Sequence, residues 1–263
     1  MDYGKYTALS IRREGRVLRV TLDSPATMNA VNRQMHGELS TIFADIALDD
    51  ATDVVILTGA GKAFSAGGDI GWMSEMLATP GGMAGIAAEG RRLVLSLLDL
   101  QKPVICRLNG DAVGLGATLA LFSDIIIADE NVRIGDPHVR VGLVAGDGGA
   151  VIWPQLVGPA LAKEFLMTGD LLDARRAASI CLINRAVPAE ALDAEVDKLA
   201  EKLARGAQQA IRWTKLSVNI GLKQLATTIL DASLAYEVAT SVMPDHAEAV
   251  AAFVEGRRPD FRR

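Results

Sequence analysis

Cysteine and basic residues are scarce in this chain of 263 residues, and each scarcity excludes a class of protein. The two cysteines, Cys106 and Cys181, stand singly in apolar segments and have the spacing of neither a disulfide framework nor a zinc site. Lysine and arginine number 27 against 32 aspartates and glutamates, which gives a formal net charge of −5. No basic surface is therefore expected to bind nucleic acid or an anionic membrane. Small molecules or further copies of the chain are the expected partners.

Long apolar runs are missing as well. The sequence contains no uncharged apolar stretch of about 18 residues, the length that a membrane-spanning helix needs. Its first ten residues, MDYGKYTALS, lack the charged start and apolar core of a secretion signal. These absences predict a protein that does not span a membrane and that stays in the cytoplasm.

What the chain does contain is an alternation of strand and helix patterns. The segment 8–25 alternates around a Gly-Arg turn and predicts a hairpin, and three apolar runs have the length of buried strands: 54–61, 103–110 and 124–130. Apolar residues at helical spacing separate these runs, as in 32–46. This order predicts an α/β protein of stacked strand-strand-helix units.

From about residue 159 onward the sequence predicts a nearly all-helical chain. Its many alanines and leucines suit the packing of helices, including packing against a neighbouring subunit. We therefore expect a core, 1–200, that carries the functional site, and a C-terminal helical region, 201–263, that mediates oligomerisation.

Two glycine-rich turns follow predicted strands: GAGKAFSAGGDI (59–70) and NGDAVGLGATLALFSD (109–124). The first is no phosphate-binding loop because Ala63 follows Gly61-Lys62, and it is no lipase-type nucleophile turn because Ala63 stands two before Ser65. Small residues let a ligand approach the backbone, and a helix start directs free N–H groups outward. One N–H from each turn could hold an oxyanion. The alternative is two tight turns with close helix packing.

Six segments, in their order and separation, resemble the enoyl-CoA hydratase/isomerase (crotonase) superfamily. They are SPATMNAV, LTGAGKAFSAGGDI, KPVICRLNGDAVGLGATLALFSDIIIAD, VGLVAGDGG, LMTGDLLDARRA and AFVEGRRPDF. The resemblance implies a crotonase-like α/β fold, a spiral of ββα units with a C-terminal helical region. It also implies assembly as trimers or hexamers, an acyl-CoA thioester as substrate, and no prosthetic group beyond the coenzyme A of that substrate.

The resemblance also implies roles for individual residues. The backbone N–H groups of Gly68 and Leu115 would hold the thioester oxygen as it becomes an enolate or tetrahedral oxyanion. Three further residues would lie near the nucleotide end of coenzyme A, and a fourth near the ligand of a neighbouring subunit. The three are Lys62, Ala66 and Ile70, and the fourth is Phe253.

The sequence departs from the family's hydratases at their two catalytic glutamates. Thr118 stands where the first is expected and His138 where the second is expected. A smaller branch, typified by 6-oxocamphor hydrolase, has a similar Pro-His segment followed by Gly-Asp-Gly and Trp-Pro, and it uses its histidine and aspartate to activate water for carbon–carbon cleavage of a diketone. The resemblance to that branch implies that His138 and Asp147 are catalytic. The glycine-rich turn at 114–116, in contrast, suits a site for a thioester, which the substrate of that branch is not.

The chemistry of these two side chains allows proton transfer. A histidine can take and return a proton near neutral pH, and a carboxylate can orient its ring. The structural alternative is that Asp147 caps a helix and His138 is a loop residue. Three functions stay open: a lyase or isomerase acting on acyl-CoA, a hydrolase of a thioester or β-diketone in which His138 activates water, and a non-catalytic acyl-CoA-binding relative.

Other polar candidates have structural interpretations. Asp69 is interpreted as a residue that stabilises the first glycine turn. His36 and His246 lie in helical stretches with polar neighbours and are interpreted as surface or packing residues. No metal site is predicted.

Overall fold

The structure is a computed structural model, and it describes residues 1–262. Within these residues the strands are β1 (Leu9–Glu14), β2 (Val17–Leu22), β3 (Val54–Gly59), β4 (Val104–Leu108), β5 (Ala112–Val113), β6 (Ile125–Asp129), β7 (Arg133–Gly135), β8 (Leu172–Asp173) and β9 (Arg185–Val187). The helices are α1 (Arg33–Ala47), α2 (Ile70–Ala78), α3 (Gly82–Asp99), α4 (Leu115–Leu121), α5 (Gly149–Thr168), α6 (Ala174–Ser179), α7 (Ala189–Ala204), α8 (Gln208–Ser241) and α9 (Pro244–Val254).

The larger sheet has six strands in the order β1-β2-β3-β4-β6-β9. The predicted hairpin is confirmed, because β1 and β2 pair antiparallel and Gly15 adopts a positive φ of 60° at their turn. The remaining neighbours pair in parallel. Parallel strands point their carboxyl ends to the same edge of the sheet, so the glycine turns that follow β3 and β4 lie side by side. Asn109 joins them, since its side-chain oxygen accepts from the N–H of Gly59 at 3.0 Å.

A smaller sheet, β5-β7-β8, continues from the second glycine turn. Strand β5 pairs in parallel with β7, and the N–H of Gly114 donates to the carbonyl of Gly135 at 3.0 Å. The chain that leaves β7 therefore starts beside the beginning of α4. This short sheet is what brings the segment around His138 to the glycine turns.

The core lies on both faces of the larger sheet. On one face, alternate residues of β3 such as Val55 and Leu57 pack with α1, α3 and α8. On the other face, Val54 and Ile56 pack against Leu192 and other residues of α7. Burial on both faces explains why the central strands are continuous apolar runs rather than alternating ones.

Two short strands interrupt the nearly all-helical chain predicted beyond residue 159. Strand β9 completes the edge of the larger sheet by pairing with β6, and β8 pairs with β7. Both strands have only two or three residues, so they leave no periodic signal in the sequence, and pairing with a neighbouring edge determines them. Near the C-terminus α8 and α9 are separate helices, and Pro244 begins α9. Among the described residues no helix combines the length and apolar character needed to cross a membrane.

Candidate active site

A cavity of about 430 Å³ lies where the two glycine turns meet the segment that follows β7. Its walls come from both turns and from α2, the His138 segment and α9, and most of the side chains are apolar. The lining residues are Thr27, Met28, Ala30, Ala66, Gly67, Gly68, Asp69, Ile70, Gly71, Met73, Val113, Gly114, Pro137, His138, Val141 and Phe253.

The first turn presents an unpaired N–H at Gly68. Its neighbours are held by Val31, which donates to the carbonyl of Gly67 at 2.7 Å and accepts from the N–H of Asp69 at 3.0 Å. Among the described residues nothing accepts the N–H of Gly68 itself. The site thus has a fixed backbone donor at the cavity wall, because its flanking residues are tied on both sides.

The second turn presents an unpaired N–H at Leu115, the first residue of α4. The N-terminal N–H groups of a helix have no partner within the helix, and no described residue accepts this one. Glycine is required just before it, because Gly114 has a φ of 54° and packs against Gly67. A Cβ at Gly67 would lie 3.8 Å from the Cα of Gly114, so the two turns are in backbone contact.

The imidazole of His138 lies beside the second turn, at Gly114. His138 begins a short 3-10 helix and its side chain is only 10% exposed. A Cβ at Gly114 would lie 3.6 Å from its Cε1. Its Nδ1 is hydrogen-bonded to the carboxylate of Asp136, and its Nε2 lies 3.6 Å from an Oδ atom of Asp147 and 3.9 Å from an Oε atom of Glu237. One imidazole therefore has three carboxylates around it.

Asp147 lies behind His138 at the start of α5. Its Oδ1 accepts a 3.0 Å hydrogen bond from the hydroxyl of Thr118. The N-cap residue of α5 is Gly148, which has no side chain to accept a hydrogen bond from the helix. The N–H of Gly149 donates to Asp147 instead and stabilises its negative charge. The carboxylate thus stabilises the helix start and also faces the imidazole.

Glu237 reaches the site from α8, far along the chain. The helix crosses the loop at Gly146, where the Ser233 hydroxyl donates to the Gly146 carbonyl at 2.8 Å. A Cβ at Gly146 would lie 2.6 Å from the Cβ of Glu237, so glycine is needed for this approach. Neither Glu237 nor Asp136 was identified from the sequence. The position of Asp136 two residues before His138 is the one local signal that could have identified it.

Burial and the charges of their neighbours shift the pKa values of His138, Asp147 and Glu237. Burial disfavours the charge on His138, but the carboxylates of Asp136, Asp147 and Glu237 outweigh it, so its pKa lies well above 6.5. Burial raises the pKa of Asp147, although the positive His138 opposes the rise. Burial and the neighbouring Asp147 raise the pKa of Glu237 to about 8. At neutral pH the site therefore holds a charged imidazole and a protonated Glu237.

These pKa shifts predict a pH-dependent stability that Glu237 controls. Glu237 keeps its proton in the folded protein up to about pH 8, whereas the unfolded chain loses it near the ordinary value of 4.5. Between pH 4.5 and about pH 8 the folded state therefore binds more protons than the unfolded chain. The free energy of unfolding falls as pH rises through this range. The raised pKa values of His138 and Asp147 act in the same direction. We expect Glu237→Gln to be more stable than the wild type by at least about 1 kcal/mol at pH 9 and nearly equal to it at pH 5.

Urea unfolding at both pH values and one protein concentration measures the difference. Glu201→Gln is the matched control, because Glu201 is exposed on α7 and should leave the pH dependence unchanged. Parallel pH dependences for the wild type and Glu237→Gln would contradict the assigned ionisation.

Ligand atoms of Asp136, His138 and Asp147 lie within 4.8 Å of one another, a spacing that a metal ion could use. The orientation of the ring argues against that use. Asp136 faces Nδ1 whereas Asp147 faces Nε2, so the two carboxylates approach opposite nitrogens of one imidazole. The arrangement fits a hydrogen-bonded proton-transfer group.

Of the other residues predicted for the site, some line the cavity and one does not. Ala66, Ile70 and Phe253 line the cavity, and Phe253 does so from α9 of the same chain. Lys62 is exposed and lies outside the cavity lining. The interpretation of Asp69 is confirmed, because its carboxylate caps α2 by accepting from the N–H of Trp72 at 2.8 Å.

The two remaining histidines are packing residues, as predicted. His36 is buried, its Nδ1 lies 2.8 Å from Glu89, and its ring contacts that of Trp72. His246 is buried on α9 with its Nδ1 2.7 Å from the carbonyl of Val141. Neither contacts the glycine turns, which leaves His138 as the histidine at the cavity.

Comparison with known proteins covers nearly the whole chain. Residues 12–263 match the family described as enoyl-CoA hydratase/isomerase. The crotonyl-CoA hydratase of Syntrophomonas wolfei is 33% identical over 261 residues, which cover 97% of this chain and 98% of that protein. A crystal structure of an enoyl-CoA hydratase/isomerase from Mycobacterium paratuberculosis superposes with a TM-score of 0.91 at 36% identity, covering 95% of this chain and 99% of the other.

A further similar structure has a different activity. It is ABDH, a β-diketone hydrolase from the cyanobacterium Anabaena sp. PCC 7120, in complex with (S)-3-oxocyclohexyl acetic acid. It superposes with a TM-score of 0.85 at 30% identity and covers 91% of this chain and 96% of its own.

Proposed function

The chain belongs to the enoyl-CoA hydratase/isomerase family, and we propose that it holds the thioester oxygen of an acyl-CoA between the N–H groups of Gly68 and Leu115 while His138 transfers a proton. It is an acyl-CoA-processing enzyme of the hydratase/isomerase type. One observation supports the proposed site: the two turns that carry these unpaired donors are in contact, and Gly68, Gly114 and His138 line one cavity.

The proposed chemistry follows from where negative charge develops. Adding water to an enoyl thioester, or moving its double bond, passes through an enolate whose oxygen carries the charge. Two fixed N–H donors stabilise that oxygen more than they stabilise the neutral carbonyl, which lowers the barrier. His138 is charged at neutral pH. In hydration the oxygen of water bonds to the β-carbon, the enolate forms, and His138 gives a proton from Nε2 to the α-carbon; the proton that the added water loses then returns to Nε2. In the reverse direction the neutral imidazole removes the same proton.

The coenzyme is part of the substrate in this proposal. Ala66, Ile70 and Phe253 line the cavity and are proposed to contact coenzyme A, and Lys62 is proposed to approach its phosphates from the exposed turn. Turnover of crotonyl-CoA by the purified protein, followed by loss of its enoyl absorbance, tests the function. Calorimetry that detected no binding of any CoA ester, but did detect binding of a cyclic β-diketone, would overturn it.

Hydrolysis of a β-diketone is the second candidate, favoured by the group formed by His138, Asp147 and Glu237 and by the similarity to ABDH. In that reaction the neutral form of His138 takes a proton from water as the water oxygen bonds to a carbonyl carbon whose oxygen the two N–H groups hold. The bond to the neighbouring carbon then breaks, and His138 returns the same proton to the carbanion. A screen that includes a cyclic diketone beside crotonyl-CoA separates the two candidates.

The cavity predicts a preference for uncharged acyl groups. Asp69 and His138 are its ionisable side chains, and no described lining residue is a lysine or arginine. Three carboxylates surround His138, so a terminal carboxylate on the acyl group would find no unpaired cation. We expect kcat/KM for hexenoyl-CoA to exceed that for the same chain with a terminal carboxylate by at least about tenfold.

Steady-state kinetics with the two thioesters measures this preference. Equal kcat/KM values would contradict it without affecting the proposed use of a CoA ester.

The assembly is proposed to be a trimer or hexamer. Large apolar side chains are exposed along α8 and α9, where a solvated surface would carry polar residues. They include Val218, Ile220 and Tyr236 on α8 and Val254 on α9. We expect sedimentation at micromolar concentration to give a multiple of three chains, and a monomer of 27.8 kDa would contradict the proposal.

A further inference from the structure

We propose that Asp136 is the positioning residue of the site: its carboxylate holds the Nδ1–H of His138 and so makes Nε2 the nitrogen that exchanges protons. The inference deepens the proposed function of the same site. It changes the roles expected from the sequence, in which Asp147 would orient the ring.

The geometry distinguishes the two aspartates. Asp136 contacts His138 twice, through the hydrogen bond to Nδ1 and through a 3.4 Å bond from the His138 backbone N–H. Asp147 lies 3.6 Å from Nε2, beyond ordinary hydrogen-bond distance, and its own hydrogen bond comes from Thr118. The carboxylate that fixes the imidazole ring is therefore that of Asp136, and the carboxylate of Asp147 faces the other ring nitrogen, Nε2.

The surroundings of Asp136 argue against a purely structural role. Its side chain is 1% exposed, and among the described residues nothing donates to its Oδ2. A buried carboxylate with one unpaired oxygen destabilises a fold, and an apolar residue would pack there without that cost. A Cβ at Gly149 would overlap Oδ2 of Asp136, so only glycine leaves room for this oxygen. The oxygen lies at the N-terminal end of α5, where the helix dipole stabilises negative charge. The site thus retains a charge whose partner is the imidazole.

Fixing the ring in this way has a chemical consequence. When Nε2 gives its proton to the substrate carbon, the neutral imidazole that remains carries its other proton on Nδ1, held by Asp136. Nε2 then has a free electron pair and can take up the proton that the added water loses, which restores the charged ring for the next cycle. Without Asp136 the neutral ring can place its proton on Nε2 instead, and the base is lost.

Asp136→Asn tests the role because asparagine has the same shape but no charge. We expect kcat to fall by at least about 10²-fold with little change in the dissociation constant of a CoA ester. The pH at which activity declines on the alkaline side should also move down, because the imidazole loses its nearest anion. Thermal unfolding of the variant checks that the fold is intact.

Proton NMR in water gives a readout that needs no substrate. An N–H bonded to a buried carboxylate resonates downfield of the amide protons, and loss of the signal in His138→Gln assigns it among the three histidines. We expect this signal to move upfield or vanish in Asp136→Asn and to persist in Asp147→Asn. A signal that survives Asp136→Asn and vanishes in Asp147→Asn would overturn the inference, as would wild-type kcat in Asp136→Asn.

The two experiments also separate this inference from the proposed function. If no CoA ester is turned over, the NMR signal still decides which aspartate holds the ring. If the signal follows Asp147, acyl-CoA turnover can still be correct while the role of Asp136 is not.

Discussion

His138→Gln is expected to lower kcat by about 10²–10⁴-fold while the dissociation constant of a CoA ester stays nearly unchanged. His138 is the histidine at the cavity, and its raised pKa supplies a proton donor at neutral pH. Glutamine keeps a polar side chain of similar reach but cannot exchange protons. The N–H groups of Gly68 and Leu115 remain in place, so binding of the thioester is preserved. Steady-state kinetics and calorimetry with the same CoA ester measure the two quantities.

A double variant tests whether His138 acts together with Asp147. Asp147→Asn alone should also lower kcat, because the imidazolium loses an anion near Nε2. Residues that act as one unit are not additive, so His138→Gln with Asp147→Asn should cost little more than the worse single change. Full activity in both single variants would show that Asp147 serves only the start of α5 and that His138 is a loop residue.

Leu115→Pro is expected to lower kcat by about 10²–10³-fold, the effect of losing one oxyanion donor. Proline has no N–H, and it is well tolerated at the first position of a helix, where that N–H has no intrahelical partner. Leu115 occupies this position in α4, and its N–H has no acceptor among the described residues. The substitution therefore removes the proposed donor while the helix can still form.

Leu115→Ala is the matched control. Both variants lose the buried leucine side chain, and only the proline variant also loses the N–H. The ratio of the two kcat values therefore measures the contribution of the Leu115 N–H to the reaction rate. Equal kcat values in the two variants, with intact folds by circular dichroism, would remove Leu115 from the proposed oxyanion site.

Much of the fold could be predicted because burial leaves a strong pattern. Strands β3 and β4 are apolar on both faces, and α1 has a regular apolar stripe, so their positions follow from the sequence. Strand β9 could not be predicted, since its three residues are extended only because the edge of β6 is available. The cap at Asp69 was predictable from local chemistry, which needs no knowledge of the rest of the chain.

The site was predictable only where its residues are near motifs. The two glycine turns and His138 were identified, and the structure brings Gly68, Gly114 and His138 to one cavity. Glu237 gives no local signal, because its residue type is common on solvated helices and only the crossing of α8 over Gly146 buries it. Lys62, which the resemblance places near the nucleotide end of coenzyme A, is exposed and lies outside the cavity lining, so its role stays a prediction.

Deuterium exchange at the α-carbon of a saturated CoA ester detects the enolate itself. Butyryl-CoA cannot be hydrated, but an enzyme that holds its thioester oxygen and removes an α-proton will replace that proton by deuterium in D₂O. We expect the wild type to catalyse exchange at a rate that rises with pH as His138 becomes neutral, and we expect exchange to be lost in both His138→Gln and Leu115→Pro. Binding of butyryl-CoA without exchange at any pH, or exchange that both variants retain, would contradict the account.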